Sequence, residues 1–205
     1  MKRTHLYVVT GASRGLGAAI AAQLLDDPAS HVLGLARGHD DTLAARARSS
    51  GAAFEAWPVD LADPLPVAAR VEAWLAARDR SGLASATLVN NAAALTRSGP
   101  LDGVDAAELS RALRGGLEAP LLLAAAFLRA TRGWHGVARR VLNISSGLGR
   151  RAMAGQAAYC AVKGGLDHAS RALALDEALQ PAPAAIVSLA PGVIDTDMQV
   201  QLRGA

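Results

Sequence analysis

The run Thr10-Gly-Ala-Ser-Arg-Gly-Leu-Gly17 joins a short β-branched stretch to an alanine-rich one. Glycines at 11, 15 and 17 let a chain turn tightly as it leaves a strand and enters a helix. A strand, a glycine turn and a helix in that order open a βαβ unit, and the rest of the sequence repeats the alternation. Strand-like runs fall at 5–10, 31–35, 53–59, 84–89, 137–144 and 184–189. Helix-like runs fall at 15–26, 40–50, 64–80, 106–131 (one or two helices) and 157–179. Within the third of these, Val67, Val71, Trp74 and Leu75 recur at helical spacing. The pattern predicts an α/β chain, a doubly wound parallel sheet with helices on both faces. No linker or internal repeat interrupts it, so residues 1–205 are expected to form one domain.

Such sheets bind ligands at the carboxyl ends of their strands, near the point where strand order switches. The glycine turn falls there. Its glycines would let the backbone approach a pyrophosphate, and the following helix start would add free amides and a positive dipole end. The spacing is Gly-x-x-x-Gly-x-Gly rather than the common dinucleotide fingerprint, and a ligandless turn is the alternative. Its place directly after the first strand favours the ligand. No Gly-Lys-Ser/Thr follows, which argues against a nucleoside triphosphate loop. At the end of the second strand a carboxylate would bond a ribose 2′-hydroxyl. Here stand Ala36 and Arg37, with Arg14 available in the turn. Two guanidinium groups beside one ribose favour NADP(H) over NAD. Solvated surface charges are the alternative, and Asp40 and Asp41 nearby weaken the preference.

Tyr159 and Lys163 are four residues apart in a helical run, hence on one face. A cation beside a phenol favours the phenolate and lowers a pKa that is ordinarily about 10. Ser146 ends the buried-looking strand Val141-Leu-Asn-Ile-Ser-Ser146. A loop returning the phenol to that hydroxyl would hold a carbonyl oxygen while the phenol protonates it. The competing reading has Ser145 and Ser146 bonding only to local backbone.

Taken together these elements resemble the short-chain dehydrogenase/reductase family across nearly the whole chain. The matching pieces are the Thr10–Gly17 turn, Asp60, Asn90-Asn-Ala-Ala93, Ser146, Tyr159-x-x-x-Lys163 and Pro191-Gly-Val-Ile-Asp-Thr196. The tail from Pro191 to Gln199 looks most like the sepiapterin reductase and benzil reductase branch. The resemblance implies a Rossmann-type, three-layer α/β/α fold. It implies Tyr159 as proton donor, Lys163 lowering its pKa and holding the nicotinamide ribose, and Ser146 positioning the substrate carbonyl. Gly11, Ser13, Arg14, Gly15, Leu16 and Gly17 would line the cofactor, with Arg37 beyond them. Asp60 would contact the adenine, Asn90 would support the adenosine side, and Leu61 and Ala92 would also line the cofactor. Pro191, Gly192, Ile194 and Thr196 would hold the nicotinamide half.

Two departures stand out. In the run Arg114-Gly-Gly-Leu-Glu-Ala-Pro120, Gly116 occupies the place of the family's usual asparagine. That asparagine helps water reach the lysine, so a slower or rewired proton relay is expected, with Gly116→Asn as its test. The chain also ends at Ala205, where family members continue. The sheet is therefore expected to lack the usual C-terminal strand.

Composition narrows the alternatives. Net charge is only +3 and no Lys/Arg block appears, against a nucleic-acid arm. The five histidines show no metal-ligand pairing. The single cysteine, Cys160, allows no internal disulfide. Glycines and Arg14 break any signal-like start, and the apolar stretch 119–128 is too short to span a bilayer. A cytoplasmic protein that pairs through its apolar helices, as a homodimer or homotetramer, is the expectation. The functional expectation is an NADP-dependent oxidoreductase reducing a ketone or diketone, or running the reverse. A dinucleotide-binding scaffold or regulator of the same fold is the rival reading. Gly116 and the early end favour it; Ser146, Tyr159 and Lys163 oppose it.

Overall fold

In the computed structural model, residues 3–192 and 194 are described. Thr196, expected to touch a cofactor, lies outside them. Six strands form one parallel sheet: β1 (Thr4–Thr10), β2 (Ser30–Ala36), β3 (Ala53–Pro58), β4 (Leu83–Asn90), β5 (Ala138–Ile144) and β6 (Ala185–Leu189). Their order is β3-β2-β1-β4-β5-β6. Between β1 and β4 the winding reverses, so the carboxyl ends of these two strands flank the switch point.

The helices are α1 (Gly15–Leu24), α2 (Asp41–Ser50), α3 (Pro64–Ala76), α4 (Ala106–Leu113), α5 (Ala119–Thr131) and α6 (Ala157–Ala178). Two apolar clusters show that they cover both sheet faces. One joins Val71 and Leu75 of α3 and Leu123 and Phe127 of α5 to strand residues such as Leu6, Leu33, Leu88 and Val141. The other joins Ala21 and Leu25, at the end of α1, and Leu43 and Ala47 of α2 to Val9, Val32 and Val89. Leucine, valine and alanine supply most of this core, as a chain with 3% aromatics requires.

Local chemistry explains the ends of elements. Asp40 accepts from the Thr42 amide at 3.0 Å, which starts α2. Gly51 closes it at φ 81°. The helix predicted over 64–80 stops at Ala76. Beyond it Arg78 folds back, its guanidinium 4.0 Å from the Trp74 ring centroid, and Asp79 accepts from the Ser81 amide. The predicted 106–131 segment is one helical path in three parts, with a π-helical turn, Arg114–Glu118, between α4 and α5. Adjacent glycines at 115 and 116 are poor α-formers, and the wider turn sits where they are.

At the amino end of the sheet, Arg139 of β5 and Glu177 of α6 are both almost fully buried. Arg139 donates to Ala182 O, and Glu177 also pairs with Arg132 at 2.7 Å. The carboxyl end carries the candidate residues.

Candidate active site

The turn after β1 is built on close approach. Gly11 and Gly15 have φ of 70° and 55°, a region that side chains beyond glycine rarely enter. A Cβ on Gly17 would lie 2.2 Å from Gly11 O and 2.4 Å from Asn91 Nδ2. The helix start therefore rests directly on the turn and on the end of β4. Thr10 completes the junction: its hydroxyl accepts from the amides of Asn91 and Ala92, each at 2.9 Å, and its carbonyl accepts from Asn91 Nδ2. Arg14 stands at the N-cap of α1 in extended backbone and offers no side-chain cap to the first turn. Close-packed glycines and amides lacking that cap fit a dinucleotide pyrophosphate. Gly17→Ala is expected to cost about 1–3 kcal/mol and to weaken dinucleotide binding at least about tenfold (one such step being ~1.4 kcal/mol). Thermal unfolding and dinucleotide titration check it; wild-type values in both would overturn the packing account.

Other candidate residues follow along the same edge. Ser13 packs near the end of β2, its hydroxyl 3.7 Å from where a Gly38 Cβ would stand. Arg14 and Arg37 are exposed at that edge. After β3, exposed Asp60 accepts from the Ala62 amide at 2.9 Å, while Leu61 packs on the core. Ala92 is half-buried, Pro191 and Gly192 are exposed, and Ile194 is half-buried.

Asn90 works from inside the sheet. It is buried, and its Nδ2 donates to Asn143 Oδ1 at 2.9 Å and Pro120 O at 3.2 Å. Asn143 Nδ2 in turn donates to Ser170 Oγ at 2.8 Å. Its side chain begins a polar ladder through β4, β5 and α6. A pairing across 53 residues leaves no local sequence signal. The half-buried neighbour Asn91 meets the glycine turn.

At the other end of this edge, Ser146 follows β5, and Tyr159 and Lys163 lie on the first turns of α6. Gln156 stands at the N-cap of α6, and its Nε2 donates to Ser98 Oγ at 2.6 Å, tying the loop after β4 to the helix start. Sequence reasoning gave Gln156 no role. Ser146 does make the local bond that the competing reading foresaw, accepting from the Leu148 amide at 3.2 Å. It also faces Tyr159. Burial pushes the Tyr159 phenol up, and hydrogen bonding by Ser146 pulls the other way. Lys163 Nζ donates to Ile144 O at 2.7 Å and lies 5.6 Å from the Tyr159 ring centroid.

The expectation that Lys163 lowers the phenol pKa is not met by these side chains. Desolvation of a phenol only 7% exposed outweighs the hydrogen bond and leaves its pKa above the ordinary value. Lys163 is shifted too: burial lowers it to about 8, with Asp167 acting upward. At neutral pH the arrangement presents a protonated phenol, a facing hydroxyl and an ammonium behind them. That combination suits proton donation to a carbonyl oxygen.

Gly116 is buried in the π-turn against α6. A Cβ there would lie 2.7 Å from Val162 Cγ1. Val162 is itself buried and β-branched, so it has little room to yield. The Gly116→Asn test of the relay is therefore confounded, because the side chain collides before it can hold water. Among the described residues no cluster of His, Cys, Asp and Glu suits a metal.

The chain is similar to known proteins in sequence and in fold. The family model described as short chain dehydrogenase matches residues 5–205. Benzil reductase ((S)-benzoin forming) from Bacillus cereus is 32% identical over 196 residues, 96% of this chain and 78% of that protein. The crystal structure of a short-chain dehydrogenase/reductase from Burkholderia vietnamiensis superposes with a TM-score of 0.76 at 38% identity, covering 98% of this chain and 88% of that one. A metagenomic short-chain oxidoreductase solved in complex with NADP superposes with a TM-score of 0.80 at 31% identity, covering 94% and 84%.

Proposed function

The chain belongs to the short-chain dehydrogenase/reductase family, and on that premise we propose that it is an NADP-dependent reductase of ketones or diketones. The observation that carries the reading is the grouping of Ser146, Tyr159 and Lys163 at the sheet edge that also bears the glycine turn. A reduced nicotinamide supplies the hydride when bound. The protein's part is placement and proton supply. Tyr159 donates a proton to the carbonyl oxygen, Ser146 steadies that oxygen, and Lys163 holds positive charge next to the phenol. The turn at 11–17 and the half-buried Ala92 and Ile194 would hold the dinucleotide.

Preference for the 2′-phosphate rests on exposed Arg14 and Arg37 at the edge after β1 and β2. The NADP complex of the metagenomic relative supports it. The diketone class rests on the name of the Bacillus cereus relative. Pairing through the apolar helices and a cytoplasmic setting are part of the same proposal; no described helix is long and apolar enough to cross a membrane.

NADPH absorbance followed against benzil and a panel of ketones tests the activity. Steady oxidation is the expected result. Tight NADPH binding without oxidation across the panel would favour the scaffold reading. Arg37→Ala is expected to raise the KM for NADPH about tenfold, the worth of one charge-assisted bond, with little effect on NADH. Equal effects on both would defeat the cofactor preference.

A further inference from the structure

Tyr159, Lys163 and Asp167 follow one another at four-residue steps along α6, and all three are buried. Asp167, 4% exposed, needs partners to remain charged, and these come from three elements. Ser188 of β6 donates its hydroxyl to Oδ1. Arg150, in the loop after β5, brings Nε to 3.4 Å from Oδ2. Ser145, next to Ser146 at the end of β5, is beside it and favours its charged form.

The packing is tight at this point. Gly149 lies in the short turn Gly147–Gly149, and a Cβ on it would come 2.9 Å from Lys163 O and 3.0 Å from Asp167 Oδ2. The turn after Ser146 is therefore pressed against the Lys163–Asp167 segment. Lys163 needs a counter-charge in return. Lys163 is 2% exposed, and its ammonium donates to one carbonyl, Ile144 O. A neutral acceptor does not balance a buried cation.

We propose that Asp167 is a positioning residue of this site: its carboxylate is the counter-charge that keeps the Lys163 ammonium in place, and it ties the Ser145–Ser146 strand end to α6. The other charges near it on neighbouring turns are Arg150 and Arg171. β5 and β6 present Ser145 and Ser188, and the π-turn presents Gly116 and Leu117 to α6. Arg150 and Arg171 share with Asp167 the lining of a cavity of about 180 Å³, and Arg150 competes for its field. Tyr159 faces Lys163, and Cys160 acts on Tyr159.

The counter-charge itself does not depend on the proposed reaction; its catalytic consequence rests on that reading. The sequence provides a direct probe, since Lys2 and Lys163 are its two lysines. In protein labelled with ¹³C-lysine, the Lys163 signal is assigned by its loss in Lys163→Met and titrated by NMR. Asp167→Asn keeps the shape and removes the charge. Its expected effect is a fall in the Lys163 titration of about one unit or more, with the alkaline limb of kcat/KM moving by the same amount. Arg150→Ala alters an exposed side chain and should move the titration the opposite way, upward. An unmoved Lys163 titration in both variants, or in Arg150→Ala alone if Asp167→Asn does not fold, overturns the proposal. A purely structural role would lower thermal stability and leave the titration in place. A shifted titration in a protein that oxidises no NADPH would uphold the counter-charge and defeat the reductase reading.

Discussion

Tyr159→Phe is expected to lower kcat by about a hundred- to ten thousand-fold, the span of a lost general acid, while NADPH binding stays near the wild-type value. Phenylalanine fills nearly the same volume. The ring packs at the start of α6, where it is buried, so the fold should lose only the interaction of its hydroxyl with Ser146, at most about 0.5–1.5 kcal/mol. A large fall in kcat with unchanged melting and unchanged dinucleotide affinity would separate chemistry from binding. Activity within tenfold of wild type would sink the proposed role of the phenol. The pH dependence sharpens the test. With its pKa raised by burial, Tyr159 stays protonated past the point where Lys163 titrates, at about 8. In the reduction direction the first loss of rate on the alkaline side therefore belongs to the lysine. The kcat/KM for NADPH, which reports the free enzyme, should begin to fall near pH 8. A fall that begins only above pH 10, the ordinary phenol value, would assign the limb to Tyr159 instead.

What could be read from the sequence divides by range. Strands and helices were legible because each carries its own periodicity, and the glycine turn because its residues are adjacent. The four-residue step from Tyr159 to Lys163 was legible for the same reason. Asp167 continues that step, but a carboxylate in a long helix looks solvent-facing until β6 and the turn after β5 are laid over it. Asn90 is legible as part of a motif, but its partners are not. Only the pairing of β4 with β5 puts Asn143 opposite it and draws the side chain inward. The direction of the phenol's shift was misjudged for the same reason. Sequence gives the nearest charges, whereas burial, which controls both Tyr159 and Lys163, is a property of the whole fold. Gly116 was legible as a departure, but Val162, the side chain it accommodates, was not.

Glu177→Ala should be among the most destabilising single changes in the chain, at about 3–5 kcal/mol, because it leaves a buried cation without its partner. Arg139 is 3% exposed on β5, and its guanidinium reaches Glu177 Oε2 at 3.4 Å. The same carboxylate holds Arg132, next to the end of α5, and accepts from the Ala184 amide at 2.8 Å. One side chain thus joins the ends of two helices, an interior strand and the approach to β6. Burial pushes the Glu177 pKa up, but the Arg132 and Ala184 hydrogen bonds and the two arginine charges bring it below 4.5. A carboxyl with a depressed folded pKa binds fewer protons than its unfolded counterpart, so its stabilisation is complete above the unfolded value. It is lost as pH falls from about 4.5 through the folded value. Urea unfolding should therefore show wild type and Glu177→Ala far apart at pH 7 and converging in acid, as protonation removes the charge from wild type too. Glu177→Gln should fall between them, since the amide still accepts from Ala184 but cannot answer the arginines. Because α6 starts at the candidate site and ends here, at the opposite end of the sheet, the folded fraction of either variant should bind NADPH as wild type does. A gap at pH 7 below about 1 kcal/mol, the worth of an exposed pair, would mean that Arg139 finds its compensation elsewhere, with Ala182 O the first candidate.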